Sequence, residues 1–194
     1  MAPTDQLATA TGQSSRTTGV DSGRSWLPLL AVSLGFFMVI LDVTVVTVAV
    51  PVLGSALRAG AAALQWVVDG YTLVFACLIP LCGALGDRFG HRRAFLAGLV
   101  VFTVASAACG GATTAEQLIA ARLLRGAGAA MMVPASLALL RAGYPEPAAR
   151  AQAFGVWGAV SGLGAAAGPV IGGLGVWGVS RWAAPERAGR WPHP

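Results

Sequence analysis

One acidic residue, Asp42, lies inside a long apolar segment, where an acid is able to take part in moving a proton or a solute through a membrane. The segment, residues 26–53, reads WLPLLAVSLGFFMVILDVTVVTVAVPVL. It is long enough to cross a bilayer, because about 20 helical residues at 1.5 Å each span a core of roughly 30 Å. A carboxylate within that core costs about 2.5–3.5 kcal/mol on insertion scales. Such an acid is expected to face a wet cavity, a partner charge or a transported ion.

The composition is that of a polytopic membrane protein. Hydrophobic residues make up 56% and charged residues 11% of the 194 positions, whereas soluble domains are about a quarter charged. The 13 basic residues are all arginine, mostly in short segments between apolar spans, so nucleic-acid binding is not predicted. No nucleophile–base pair or metal-ligand spacing is visible, so the sequence predicts no enzyme activity, metal or cofactor.

Hydropathy predicts an all-α bundle of five transmembrane spans. The predicted spans cover residues 26–50, 64–85, 94–112, 117–140 and 153–179. Pro51 is expected to end the first span. Residues 1–25 are predicted to be a disordered cytoplasmic tail, and residues 180–194 an atypical polar tail that is too short for a sixth span.

The arginines predict the orientation of this bundle. With the N-terminus inside, seven arginines fall in cytoplasmic segments and one, Arg58, in the outer loops. The positive-inside rule therefore predicts a cytoplasmic N-terminus. The arginines after residue 180 do not follow this pattern for a five-span chain.

Residues 83–93, GALGDRFGHRR, have the order G-x-L-x-D-R-x-G-x-R-R, which is more specific than an excess of positive charge. The alternative interpretation is an ordinary positively charged loop. The glycines permit a tight turn between two helices. Asp87 is suited to accept backbone N–H groups at a helix start or to pair with an arginine.

This segment resembles the cytoplasmic loop between the second and third spans of the major facilitator superfamily. Residues 41–51, LDVTVVTVAVP, resemble the first-span motif of its fourteen-span drug:proton antiporters. Residues 122–136, RLLRGAGAAMMVPAS, are similar to the fourth-span arginine motif, and residues 162–173, GLGAAAGPVIGG, to the fifth-span antiporter motif. Because the family has twelve or fourteen spans, the chain resembles an incomplete N-terminal half.

The resemblance implies that the loop is a cytoplasmic gate that latches the two halves of the transporter in the outward-facing state. The implied gating residues are Gly83, Asp87, Arg88, Gly90, Arg92 and Arg93.

Two positions depart from the family pattern. His91 stands where the loop motif usually has Arg or Lys, and Arg125 stands where the fourth-span motif usually has Gln.

The candidate antiporter motif comprises Gly164, Gly168, Pro169, Gly172 and Gly173. The three glycines that recur every four residues predict a helix face that another helix can approach closely, and the proline can bend the span. The alternative is generic packing of small residues. A phosphate-binding glycine loop is rejected, because no β-strand precedes the motif and no acidic residue follows at dinucleotide spacing.

A polar layer is predicted in the outer half of the membrane. The helical rise places Asp42 roughly 12 Å deep, and Asp69 and Arg122 roughly 7 Å deep. The resemblance implies that the first and fourth spans border a central cavity, so Asp42 and Arg122 are predicted to interact across it as the proton-coupling pair. Asp69 and Arg125 are further candidates for the layer. The alternatives are that Arg122 extends to the outer interface and that Asp69 is an interfacial residue.

Proton coupling would follow from a competition at Asp42. A nearby guanidinium favours the carboxylate and desolvation favours the protonated acid, so a change in their separation would switch Asp42 between the two states. The resemblance implies proton-coupled export of a small lipophilic drug or antibiotic across the inner membrane, whose lipid surrounds the protein. The alternatives are an inactive or regulatory fragment that only associates with another transporter chain, and a metabolite transporter of the same superfamily. The expected protein partner is the missing C-terminal spans or another transporter chain.

Overall fold

The structure is a computed structural model that describes residues 26–57 and 59–183. It contains five helices, α1 (Trp26–Ala56), α2 (Ala61–Phe89), α3 (His91–Gly110), α4 (Ala115–Gly143) and α5 (Pro147–Ala183). All five are long and apolar enough to cross a membrane, and the described residues contain no strand. The predicted all-α transmembrane bundle is therefore confirmed. The tail 1–25 and residues 184–194 lie outside the described part of the chain.

The helices extend past most ends of the apolar spans. Residues 180–183, expected to belong to a polar tail, continue α5. The expectation that Pro51 ends the first span is wrong, because α1 continues to Ala56. Proline removes one backbone donor, and membrane helices tolerate that loss where neighbouring groups compensate. Hydropathy identifies only the part of a helix that matches the hydrocarbon, whereas the helical hydrogen bonds continue beyond it.

The predicted loop at residues 83–93 is almost entirely helical, so the prediction of a loop is wrong. Gly90 alone separates α2 from α3. Its φ of 96° is a backbone conformation that glycine adopts without the strain that a Cβ would bring. The Gly90 N–H donates to the carbonyl of Gly86 at 2.9 Å, which satisfies a carbonyl in the last turn of α2. The charged residues of the motif therefore lie on two helix ends.

Helix α4 lies at the centre of the bundle, packed against both α2 and α3. Two glycines permit this close approach. A Cβ added at Gly126 would lie 2.6 Å from the carbonyl oxygen of Tyr71 in α2, and one added at Gly128 would lie 2.7 Å from the backbone nitrogen of Phe102 in α3. Because the obstacles are backbone atoms, any larger residue at either position would push the helices apart.

Helix α5 packs mainly against α1, through the glycine face noted in its sequence. Gly164 lies against Phe37, and a Cβ added at Gly168 would overlap the side chain of Thr44. By contrast, a Cβ added at Gly173 would meet no atom within 4 Å among the described residues. The glycines of the motif therefore divide between a packed face and an open face.

The bundle thus consists of an α1–α5 pair and an α2–α3–α4 group. Contacts of α1 with α4 and α2 are fewer than the contacts within each group. Apolar side chains from both groups share one core; its members include Leu29 and Val39 of α1, Phe95 of α3 and Met132 of α4. The interactions that join α1 to α4 therefore determine how the two groups are held together.

We predict that Gly168→Val destabilises the bundle more than Gly173→Val, by about 1–3 kcal/mol, because only the first change overpacks the α1–α5 contact. The measurement is thermal unfolding of the purified chain in detergent, followed by circular dichroism. The two variants make the same change in helix propensity within one helix, so equal melting temperatures would contradict the packing described above.

Candidate functional site

Asp42 is buried near the middle of α1, with 3% of its surface exposed. Because the helix continues past Pro51, about 21 Å of helix separates Asp42 from the end at Ala56, at 1.5 Å per residue. The helix therefore extends beyond the apolar span from which the depth of Asp42 was estimated, and its depth of roughly 12 Å in the membrane stays a prediction. The position leaves the carboxylate dependent on protein groups for its stabilisation.

Each oxygen of the Asp42 carboxylate is paired with a different arginine of α4. Arg122 Nη1 lies 2.8 Å from Asp42 Oδ2, and Arg125 Nη1 lies 2.8 Å from Asp42 Oδ1. The two arginines are three residues apart, so they share one face of α4. The pairs are direct contacts inside the five-helix bundle, and they connect α1 to α4.

Arg122 is held by α2 as well as by Asp42. Its Nε donates to the carbonyl of Val67 at 2.9 Å, and its guanidinium carbon lies 4.8 Å from the centre of the Tyr71 ring. Only 2% of its surface is exposed. The alternative in which Arg122 extends to the outer interface is therefore wrong, and the side chain instead joins three helices.

Arg125 has fewer partners than Arg122. Its guanidinium carbon lies 4.7 Å from the centre of the Phe102 ring of α3, a favourable cation–π distance. Its Nε is buried and has no hydrogen-bond partner within the described structure, and 14% of its side chain remains exposed. Among the residues that the structure describes, Asp42 is the one anionic group in contact with Arg125.

The cluster of Asp42, Arg122 and Arg125 carries a net charge of one positive unit when the acid is ionised, because two guanidinium groups surround one carboxylate. Protonation of Asp42 would remove its negative charge and weaken both ion pairs. Electrostatic effects are large at a site with so little exposure, because the surrounding protein and lipid screen charge much less than water does. The arrangement is chemically suited to take up and release a proton at Asp42.

Asp69 is not part of this cluster. It lies on the exposed side of α2, where it borders an open groove of about 550 Å³ together with Trp66 and Thr72. It makes no ion pair with any residue in the described ranges. The structure therefore joins three of the four residues predicted for the polar layer and separates the fourth.

The charged residues at the α2–α3 junction are arranged differently from the prediction. Asp87 Oδ1 lies 3.3 Å from Nε2 of His91, and 78% of the Asp87 side chain is exposed. No arginine of the described chain forms an ion pair with Asp87. Arg88 instead lies over the ring of Phe89, with 5.6 Å between the guanidinium carbon and the ring centre.

Sequence reasoning missed the groups that hold the two arginines. The rings of Tyr71 and Phe102 lie against the guanidinium groups, and the acceptor on α2 is the backbone carbonyl of Val67. Aromatic residues in an apolar helix are usually core residues, and a backbone carbonyl has no sequence signature. The signal that was available is the helical spacing of Val67 and Tyr71, which puts them on one face of α2.

Comparison with known proteins assigns the chain to a family. The family profile described as "Major Facilitator Superfamily" matches residues 32–185. The chain belongs to the Major Facilitator Superfamily. Together with five helices apolar enough to span a bilayer, membership makes this a multi-pass membrane protein of a family whose members are typically transporters.

Several relatives within the Major Facilitator Superfamily are resistance and export proteins. The chain is 46% identical over 146 residues to the methylenomycin A resistance protein of Bacillus subtilis, covering 75% of this chain and 31% of the relative. It is 45% identical over 152 residues to the tetracenomycin C resistance and export protein of Streptomyces glaucescens, covering 78% and 28%. A third relative is the methyl viologen resistance protein SmvA of Salmonella typhimurium, 46% identical over 151 residues, covering 78% and 30%. The chain spans less than a third of the length of these relatives.

We predict that Asp42→Asn lowers the stability of the chain by about 3–5 kcal/mol, because it leaves two buried guanidinium groups without their counter-charge. Glu116→Gln is the matched control, since Glu116 is an exposed acid in the first turn of α4 and its loss should cost about 1 kcal/mol or less. Thermal unfolding of both variants in detergent measures the difference. Equal melting temperatures would show that Asp42 is not ion-paired as described.

Proposed function

We propose that the chain supplies the proton-coupling part of an exporter of lipophilic drugs or antibiotics, and that it is not an enzyme. The observation that supports this proposal most strongly is the buried Asp42 carboxylate between Arg122 and Arg125. An intramembrane acid paired with arginines is typical of proton relays in transporters. The relatives are named for resistance and export, which supports the same direction of transport.

The proposed coupling step is the protonation of Asp42. With Asp42 ionised, its two ion pairs hold α1 against α4. A proton that adds to a carboxylate oxygen forms an O–H bond, removes the negative charge and weakens both pairs, so that α1 is less tightly held to α4. Release of the proton restores the pairs. Because each state favours a different strength of the α1–α4 contact, proton binding would bias the conformation of the bundle.

The glycine face of α5 is proposed to support this step. Gly164 lies against Phe37 and Gly168 against Thr44, so α5 approaches α1 both before and after Asp42 along the helix. We infer that this close contact keeps water and lipid from one side of Asp42. Proton access would then come from another side of α1.

The orientation is proposed from the ends of the helices. Arg92 and Arg93 lie in the first turn of α3, Arg141 lies in the last turn of α4, and Arg150 lies near the start of α5. These helix ends are all on one side of an up-and-down bundle, and the positive-inside rule makes that side cytoplasmic. We propose that this end, with Asp87, Arg88 and Gly90, is a cytoplasmic gate in the inner membrane.

Transport by alternating access requires two halves that move around a central site. We propose that the further spans come from the rest of a longer polypeptide or from a second chain. The cargo would be a small lipophilic compound, and the proton gradient would supply the energy.

A second candidate function is association with another transporter chain without transport of its own. One face of α1 is available for such a contact, because Leu27, Leu30, Leu34 and Met38 are each at least 45% exposed among the five described helices. These positions are three or four residues apart and form an apolar stripe that another helix could cover. Co-expression with the remaining spans of a relative distinguishes the two functions, because restored efflux supports transport.

We predict that Asp42→Asn, made in a transporter that contains residues 26–173, abolishes proton-driven efflux while exchange of cargo down its own gradient continues. The physical reason is that an amide cannot be ionised and reprotonated at this position. The measurement is efflux from inverted vesicles with and without an imposed pH gradient, and Glu116→Gln is the control variant. Proton-driven efflux by Asp42→Asn at the wild-type rate would remove Asp42 from coupling.

A further inference from the structure

Arg125 adds a second positive charge to a carboxylate that already has one arginine partner. We propose that Arg125 determines the charge class of the cargo. It prevents cationic compounds from binding to Asp42 and so restricts the exporter to neutral or anionic compounds. The inference rests on the proposed function and names its substrate class. The proton is then the cation that Asp42 accepts.

The two arginines are not equivalent in their contacts. Arg122 has two partners besides Asp42, the carbonyl of Val67 and the ring of Tyr71, and neither of these contacts loses its charge or its donor when Asp42 is protonated. Arg125 has only the Phe102 ring in addition to Asp42, and its Nε is without a hydrogen-bond partner in the described part of the chain. Arg122 is therefore a fixed part of the bundle, and Arg125 is the residue that decides whether Asp42 Oδ1 is available.

Charge makes Asp42 a poor site for a cationic drug while Arg125 is present. Both carboxylate oxygens are already paired at 2.8 Å. An incoming cation would therefore have to displace one guanidinium from Asp42, and it would still lie close to the positive charges of both arginines. Like charges brought within a few ångströms repel strongly where water is scarce. A proton avoids this cost in part, because it forms a covalent O–H bond on the carboxylate and needs almost no space.

Among the five described helices, the Arg125 side chain is 14% exposed, on one side of the bundle. It borders a groove of about 680 Å³ between α1 and α3, whose other walls include Met38, Leu99, Thr103 and Ser106. These walls are apolar or carry hydroxyl groups and include no acid. The guanidinium therefore gives the groove a positive potential, which disfavours cations and favours anions.

The test measures binding of two ions of nearly the same size and opposite charge, tetraphenylphosphonium and tetraphenylborate. Binding to the purified 194-residue chain in detergent is measured by equilibrium dialysis, with protein-free micelles as the blank. We expect Arg125→Gln to bind tetraphenylphosphonium about tenfold more tightly than the wild type and tetraphenylborate about tenfold more weakly. Arg125→Lys keeps the positive charge and should resemble the wild type.

A double variant tests whether the gain in tetraphenylphosphonium binding depends on the Asp42 carboxylate. Asp42→Asn combined with Arg125→Gln should lose the tetraphenylphosphonium binding gained by Arg125→Gln alone, because the carboxylate that attracts the cation is gone. Circular dichroism and melting temperature verify that each variant is folded. Unchanged tetraphenylphosphonium binding in folded Arg125→Gln, or a gain that persists in the double variant, would overturn the proposal. The assay uses no proton gradient, so its outcome is independent of whether Asp42→Asn abolishes coupled efflux.

Discussion

A carboxylate buried within a membrane bundle must be neutralised by other protein groups, and this constraint organises the structure around Asp42. The acid is 3% exposed, and the groups that compensate it are the guanidinium groups of Arg122 and Arg125 on a different helix. Because α1 packs mostly with α5, and α4 mostly with α2 and α3, these ion pairs join two groups of helices. A change in the charge of one side chain can therefore alter the contact between the groups.

The small residues are as necessary to this arrangement as the charges. Gly126 follows Arg125 directly and brings α4 against the backbone of α2, the same helix that supplies a carbonyl and an aromatic ring to Arg122. On the other side, Gly168 brings α5 against α1 near Thr44, two residues beyond Asp42. Close backbone approach excludes solvent, and the exclusion of solvent is what makes the charge state of Asp42 energetically important.

Much of the fold could be predicted from the sequence. Backbone N–H and C=O groups without hydrogen-bond partners are so costly in lipid that an apolar span has few alternatives to a helix. The pairing of Asp42 with Arg122 was also within reach, since a charged residue in an apolar span demands a partner. The positions of the helix ends could not be predicted, because hydropathy does not show that α1 continues past Pro51 or that Gly90 alone separates α2 from α3. The separation of Asp69 depends on the rotation of α2, which its sequence does not determine.

The measurement that tests the buried pair most directly is a double-mutant cycle between Asp42→Asn and Arg122→Gln, using thermal stability of the chain in detergent. If the two groups are ion-paired inside the bundle, the double variant will be less destabilised than the sum of the single variants by about 1 kcal/mol or more, because removing one partner leaves the other charge unpaired. Additive effects within about 0.3–0.5 kcal/mol would contradict a direct interaction.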